Sequence, residues 1–241
     1  VNPNNTLVVA TLLADLVAGD GHVVVGANSP VPMSGALLAR AKGGPGQVSV
    51  LGSRKYNPFT EGGRELFDCA AQGRMDAFFL GGGQIDGAAN INLVGVGDYP
   101  ASKLRFPGSF GSAFLYHLVP KVILYRDEHS RRVLVDKVDF ISAPGTAPDG
   151  VFSRGGPAAL VTGMAHLAFD PERRRFRLAS VHPGHSVEEV LDNTGFDLDI
   201  GAETPETRFP SAEERDLLLG GIRDDVAEIY PRFAASELAT A

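Results

Sequence analysis

The residues best placed by type and spacing to do chemistry follow the run Ala77-Phe78-Phe79-Leu80: three glycines, Gly81 to Gly83, then Gln84, Asp86, Asn90 and Asn92. An apolar run without helical spacing that opens into consecutive glycines reads as a buried strand ending in a tight turn. Glycine carries no Cβ, so such a turn tolerates positive φ and lets a ligand or a second chain lie against bare peptide N–H groups. Gln84, Asp86, Asn90 and Asn92 add amide and carboxylate groups beside it. A glycine turn joining two strands of an ordinary sheet accounts for the same pattern, and both readings stay open.

Two further segments carry charge near turn residues. Gly52-Ser53-Arg54-Lys55-Tyr56-Asn57-Pro58 follows a short buried strand, and in open α/β sheets ligands gather at the carboxyl ends of strands. Arg54 and Lys55 there suit an anion, or they are two solvated loop cations. Lys103 and Arg105 precede Phe106-Pro107-Gly108-Ser109-Phe110-Gly111, where a helix start offers free N–H groups and a positive dipole end. Together these suit a phosphate-bearing or thioester ligand. The terminal stretch with Glu213, Glu214, Arg215 and Asp224 reads as a solvated surface face.

Standard catalytic signatures are absent: there is no phosphate-binding G-x-x-x-x-G-K-[ST], no G-x-S-x-G elbow, no H-E-x-x-H and no spaced Cys and His set for zinc. The six histidines are scattered, and only His182 and His185 sit close, without an adjacent third ligand. No metal is expected. The single cysteine, Cys69, falls in an amphipathic helix and reads as a small buried thiol.

These groups must be positioned by a chain of 241 residues with 44% hydrophobic and 21% charged residues, ordinary globular usage that excludes disorder and coiled coil. One domain covering 1–241 is expected. A formal charge of −7 leaves no broad basic footprint, so no nucleic-acid partner is expected. Neither a signal peptide nor a membrane-spanning stretch is evident, and the reading is a cytoplasmic protein without a membrane partner.

Asn4 and Asn5 are expected to cap a helix from Thr6 to Gly19, followed by a strand at His22–Gly26, a helix opened by Pro32 and a strand at Val48–Leu51. A loop from Gly52 to Gly62 leads to the Cys69 helix and the strand Ala77–Leu80. A helix from Gly108 through Leu118, a strand Lys121–Tyr125 and a strand Val133–Ser142 come next. Ala158–Phe169 and Phe176–Val181 read as an antiparallel hairpin, Ser186 and Glu189 as a capping box, and Glu213–Tyr230 as the last helix. The fold class is α/β: an open, mostly parallel sheet covered by helices, with an antiparallel C-terminal hairpin.

The ordered set Gly82-Gly-Gln-Ile-Asp, Asn90-Ile-Asn, Gly97-Asp, Arg105-Phe-x-Gly-Ser, Asp139-Phe-Ile-Ser-Ala-Pro-Gly and Asp192-Asn-Thr-Gly-Phe-Asp-Leu resembles the β subunits of class I coenzyme A transferases, such as glutaconate CoA-transferase. The resemblance runs from Thr6 to Asp199. It implies an open α/β fold, an obligate α subunit, an α2β2 assembly and a site at the α/β contact that holds an acyl-CoA. In this family a β-subunit glutamate attacks the thioester, a covalent step that needs a carboxylate. The family's Val-Glu-Ser-Gly corresponds here to Val50-Leu51-Gly52-Ser53, so Leu51 stands in the nucleophile's place. Glu61 and Glu65 are the nearest carboxylates downstream, in the loop end and the next helix. The family's Gly-x-Gly-Gly reads Gly108-Ser109-Phe110-Gly111, with Phe110 adding bulk.

Within the family the chain is similar to β subunits of the steroid-ring-opening acyl-CoA hydrolases of actinobacterial cholesterol catabolism, which lack the glutamate. That resemblance implies attack of water on a ring ketone of a bicyclic diketone acyl-CoA, with no cofactor beyond the CoA of the substrate. Such a reaction needs a general base for water, expected on the α subunit, and donors for developing oxyanions. Gln84, Ser109 and Gly111 are the catalytic candidates on this view. Arg54, Lys55, Tyr56, Gly82, Gly83, Asp86, Asn90, Lys103, Arg105, Gly108 and Phe110 are the substrate-binding candidates. A transferase that uses another carboxylate, and a non-catalytic structural partner of the α subunit, are the alternatives.

Overall fold

A computed structural model describes residues 3–239. The chain divides into two compact units, one formed by residues up to Phe79 together with those from Thr207 onward, the other by Leu80–Glu206.

The first unit opens with α1 (Pro3–Val17), β1 (His22–Val25), α2 (Pro30–Ala41), β2 (Gln47–Val50), α3 (Gly63–Ala71) and β3 (Ala77–Leu80). Val23, Val24 and Val25 are completely buried, as β-branched residues are in a strand covered on both faces. β1 pairs in parallel with β2 and with β3, Val24 lying opposite Ser49 and Phe78. Parallel neighbours require crossovers, and the helices supply them. α1 and α2 cross where Gly35 faces Leu13; a Cβ on Gly35 would come within 2.7 Å of the Leu13 Cβ, so only glycine allows that approach. The first helix starts by Pro3, which leaves Asn4 and Asn5 inside it rather than capping it at Thr6. Proline serves the opening turn because its missing N–H has no partner there in any case.

The second unit begins with two short strand pairs: β4 (Gln84–Ile85) with β5 (Ile91–Asn92), and β6 (Gly95–Val96) with β7 (Leu104–Arg105). Then come α4 (Ser112–Leu118), β8 (Lys121–Arg126), β9 (Pro157–Thr162), β10 (Ala165–Asp170), β11 (Arg175–Val181) and α5 (Val187–Asp192). β8 and β9 are parallel, whereas β9, β10 and β11 run antiparallel. The expected strand over Ala158–Phe169 is therefore two strands. Thr162 accepts the N–H groups of Met164 and Ala165 on its hydroxyl, at 3.2 and 3.1 Å, and closes a turn inside the apolar run. Val133–Ser142 is not a strand either. Its backbone makes isolated bridges at Leu134 and, just beyond, Ala143, while the N–H of Asp139 goes to the Gln84 side chain at 3.1 Å. Ser186 caps α5 by accepting the Glu189 N–H at 3.2 Å, but the Glu189 carboxylate turns to His185 at 3.0 Å.

The first unit resumes with α6 (Ala212–Leu217), a π-turn over Leu218–Ile222, α7 (Arg223–Ala227) and α8 (Pro231–Glu237). The single helix expected over Glu213–Tyr230 is broken at Gly220, whose φ of −100° and ψ of −118° are not helical. Two adjacent glycines lack the side chains that stiffen a helix, and the break falls on them. Glu214 is also no surface charge. It is 4% exposed, bonded to both guanidinium NH groups of Arg208 at 2.8 Å and to Lys42, and the Arg208 guanidinium holds its carboxyl far below the usual range.

Candidate active site

In the first unit β2 delivers the chain to Leu51, whose N–H donates to the Val25 carbonyl at 3.0 Å. Gly52 then turns the chain with φ of +92°, a left-handed conformation that glycine adopts without a Cβ penalty. Ser53 is buried and acts as a hub. Its hydroxyl donates to Glu228 at 2.7 Å and accepts the N–H groups of Lys55 and Tyr56 at 3.1 and 3.0 Å. The Arg54 N–H donates to the other Glu228 oxygen at 2.8 Å. Asp225, one helical turn before Glu228, takes the Lys55 ammonium and the Tyr56 hydroxyl.

The electrostatics follow from these partners. The hydrogen bond to Asp225 raises the Lys55 pKa, burial and then Asp225 raise that of Tyr56, and the Ser53 hydroxyl lowers that of Glu228. Lys55, Tyr56 and Asp225 share the wall of a cavity of about 950 Å³ with Arg40, Gln47 and Ile222, a size in the range of small-molecule sites. The Arg40 guanidinium lies 5.9 Å from the centre of the Tyr56 ring. Arg54, Lys55 and Tyr56 are thus brought together as expected, on a loop held by carboxylates from the far end of the sequence. Glu61 and Glu65 are engaged locally: Glu65 accepts the N–H groups of Thr60 and Glu61, and Glu61 pairs with Arg64 at 3.5 Å.

In the second unit the glycine run leads into a buried network of polar side chains. Gln84 accepts from the Asn92 amide at 2.7 Å and from the Asp139 N–H at 3.1 Å, and donates to the Asp139 carboxylate at 3.2 Å. Asn92 spends its remaining capacity on Val94 and Gly95. Asp86 accepts the N–H groups of Ala88 and Asn90 at 3.1 and 3.0 Å and the Asn90 amide at 3.0 Å. Asn90 in turn accepts the Gly145 N–H at 3.0 Å. Gln84, Asp86 and Asn90 therefore gather in one region as expected, with their polar atoms partnered inside the chain.

The glycines answer to packing. None of Gly81, Gly82 and Gly83 takes positive φ, contrary to the conformational freedom expected there. A Cβ on Gly83 would stand 2.5 Å from the Phe106 ring, and one on Gly82 3.0 Å from Ile85. Phe106 thereby seats the segment that carries the remaining candidates. Lys103 and Arg105 are exposed on the β6–β7 hairpin, and the Arg105 guanidinium rests on the Pro100 carbonyl at 2.9 Å and over the Tyr99 ring at 5.3 Å. Gly108, Phe110 and Gly111 all have positive φ, of 111°, 39° and 70°. Phe110, 66% exposed, holds a backbone conformation that costs a non-glycine residue about 1 kcal/mol or more.

Residues 8–193 match the family model described as coenzyme A transferase. The chain belongs to the coenzyme A transferase family. One of the subunits of glutaconate CoA-transferase from Acidaminococcus fermentans is 38% identical over 51% of this chain and 48% of its own length, so the match spans about half of that relative. The cholesterol ring-cleaving hydrolase IpdB subunit of Rhodococcus jostii is 26% identical over 87% of this chain and 88% of its own. The solved structure of Rhodococcus jostii IpdAB superposes with a TM-score of 0.78 at 25% identity, covering 98% of both chains. As in other coenzyme A transferase family members, the sheet is mostly parallel with antiparallel strands at its C-terminal end. Relatives of this family occur as pairs of unlike subunits, and the chain is read as the β-type subunit of such an enzyme.

Sequence reasoning missed Ser53, Asp139, Asp225 and Glu228. Asp225 and Glu228 lie three residues apart and so share one helical face, the one signal that pointed to a common target. Nothing local named that target, because it lies 169 to 175 residues away.

Proposed function

We propose that this chain is the β subunit of a heteromeric acyl-CoA hydrolase that opens a carbon–carbon bond of a bicyclic diketone acyl-CoA derived from steroid C and D rings. The observation that carries the reading is Leu51 at the nucleophile's position, at the carboxyl end of β2, in a chain that aligns with the IpdB subunit over most of its length. A leucine cannot form an acyl anhydride, so the covalent glutamyl-CoA route has no nucleophile there. Water adds to the ring ketone instead, and the broken bond's electron pair becomes an enolate while the thioester survives. Oxyanion contacts are assigned to Gln84, Ser109 and Gly111, and the base to the α subunit. Arg54, Lys55 and Tyr56 line the space beside Leu51, with Gly82, Gly83, Asp86, Asn90, Lys103, Arg105, Gly108 and Phe110 completing the substrate contacts; no cofactor is required. The complex is an α2β2 cytoplasmic enzyme on this reading.

The higher identity to the glutaconate CoA-transferase chain over its matched half favours, as a second reading, a transferase that uses another carboxylate. Mass spectrometry on the co-purified α/β complex, given the diketone acyl-CoA in ¹⁸O-labelled water with a carboxylic acid acceptor, separates the two. Product that keeps CoA and gains one labelled water supports ring hydrolysis, whereas CoA on the acceptor sinks it. Leu51→Glu is expected to add exchange activity to a transferase site and only to lower turnover in a hydrolase site.

A further inference from the structure

We propose that Asp225 and Glu228 are positioning residues for the substrate-contacting loop after β2, setting the placement of Arg54, Lys55 and Tyr56. The inference rests on the proposed function, in which this loop meets the acyl-CoA.

The hydroxyl of Ser53 organises the loop. A serine hydroxyl has one proton to give and two lone pairs. Glu228 takes the proton at 2.7 Å, which turns the lone pairs toward the N–H groups of Lys55 and Tyr56 at 3.1 and 3.0 Å. The second Glu228 oxygen takes the Arg54 N–H. Three successive backbone amides are therefore fixed through one carboxylate, while Asp225 fixes the Lys55 and Tyr56 side chains. Glu228 remains ionised at neutral pH, since the Ser53 hydroxyl lowers its pKa. The carboxylates come from α7 and the residue after it, directly beyond the π-turn, so the loop's shape depends on a segment 170 residues away.

Glu228→Gln tests this without changing shape: one oxygen becomes a donor, which leaves either the Ser53 hydroxyl or the Arg54 N–H facing another donor. Asp225→Asn weakens the Lys55 contact in the same way. On the α/β complex, each variant is expected to raise KM for the diketone acyl-CoA by about fivefold to tenfold, the scale of one lost charge-assisted hydrogen bond. The change in kcat is expected to be the smaller of the two. Amide exchange over residues 53–57 should quicken by about tenfold in Glu228→Gln, and Glu228→Asp, which keeps both acceptors, should recover part of the KM.

Unchanged KM beside faster exchange would overturn the proposal, as would loss of kcat, KM and Tm together with no recovery in Glu228→Asp. If the wild-type complex opens no ring, the functional reading fails by itself. Calorimetric binding of the acyl-CoA to wild-type and Glu228→Gln complexes then decides the positioning role, which is overturned by equal affinities.

Discussion

The loop after β2 and the network after the glycine run are held by opposite means. Around Ser53 the holding groups are ionised carboxylates at the surface, Glu228 and Asp225, reaching across the sequence. Around Gln84 they are mostly neutral amides within a few residues, buried and mutually partnered. Surface charges are screened and can exchange with water, so such a clamp is weak in stability and adjustable. Buried amides cannot find water, so that network is costly to disturb and rigid. One region is built for adjustment of a loop, the other for permanence of a scaffold.

Acid sharpens this contrast most. Burial lowers the pKa of His129, His166 and His182 from 6.5 to about 4, and all three lie in the second unit. A histidine that is neutral when folded and basic when unfolded lends stability that is complete above pH 6.5 and is lost as pH falls toward 4. The loss is on the order of 2 kcal/mol per group by pH 5. Glu214 in the first unit, by contrast, has a lowered pKa, and its contribution is lost only as pH falls below the ordinary carboxylate range. Hydrogen exchange between pH 6.5 and 4 should therefore expose β9 to β11 before β1 and β2. Simultaneous loss would break the contrast.

Asn92→Ala should cost about 3 kcal/mol in urea unfolding, because its removal strips partners from Gln84 and from the Val94 and Gly95 backbone. A loss near zero would mean that water enters the network and that its rigidity is overstated. Gly83→Ala should cost about 2 kcal/mol by overpacking against Phe106, and Phe106→Leu in the same chain should return part of it. Phe110→Gly should have the smallest effect on stability, within about 1 kcal/mol, because relief of the positive φ offsets the added freedom of the unfolded chain. A much larger loss would show that Phe110 is a packing residue; lower kcat/KM with stability intact fits a substrate contact.

Much of this was legible from local pattern. The valines of β1, the glycine-bounded helices and the order of strands followed from periodicity and turn residues, because those depend on neighbours in sequence. Local pattern misled where a partner was remote. Val133 to Ser142 has strand-like alternation, yet its N–H groups are claimed by Gln84 and Asp86. Gly220 split a helix whose flanks both read as helical.

The sequence by itself determined the family, through ordered blocks, and the absence of a carboxylate at Leu51, which a single residue identity decides. It also named Arg54, Lys55 and Tyr56. Only the tertiary structure decided that Glu228 and Asp225 hold them, that Gln84 is enclosed by Asn92 and Asp139, and that Gly83 exists to admit Phe106. The physical reason is common to all three. Hydrogen bonds and steric contacts act over about 3 to 4 Å of space, and chain separation does not reveal which distant groups folding will bring within that distance.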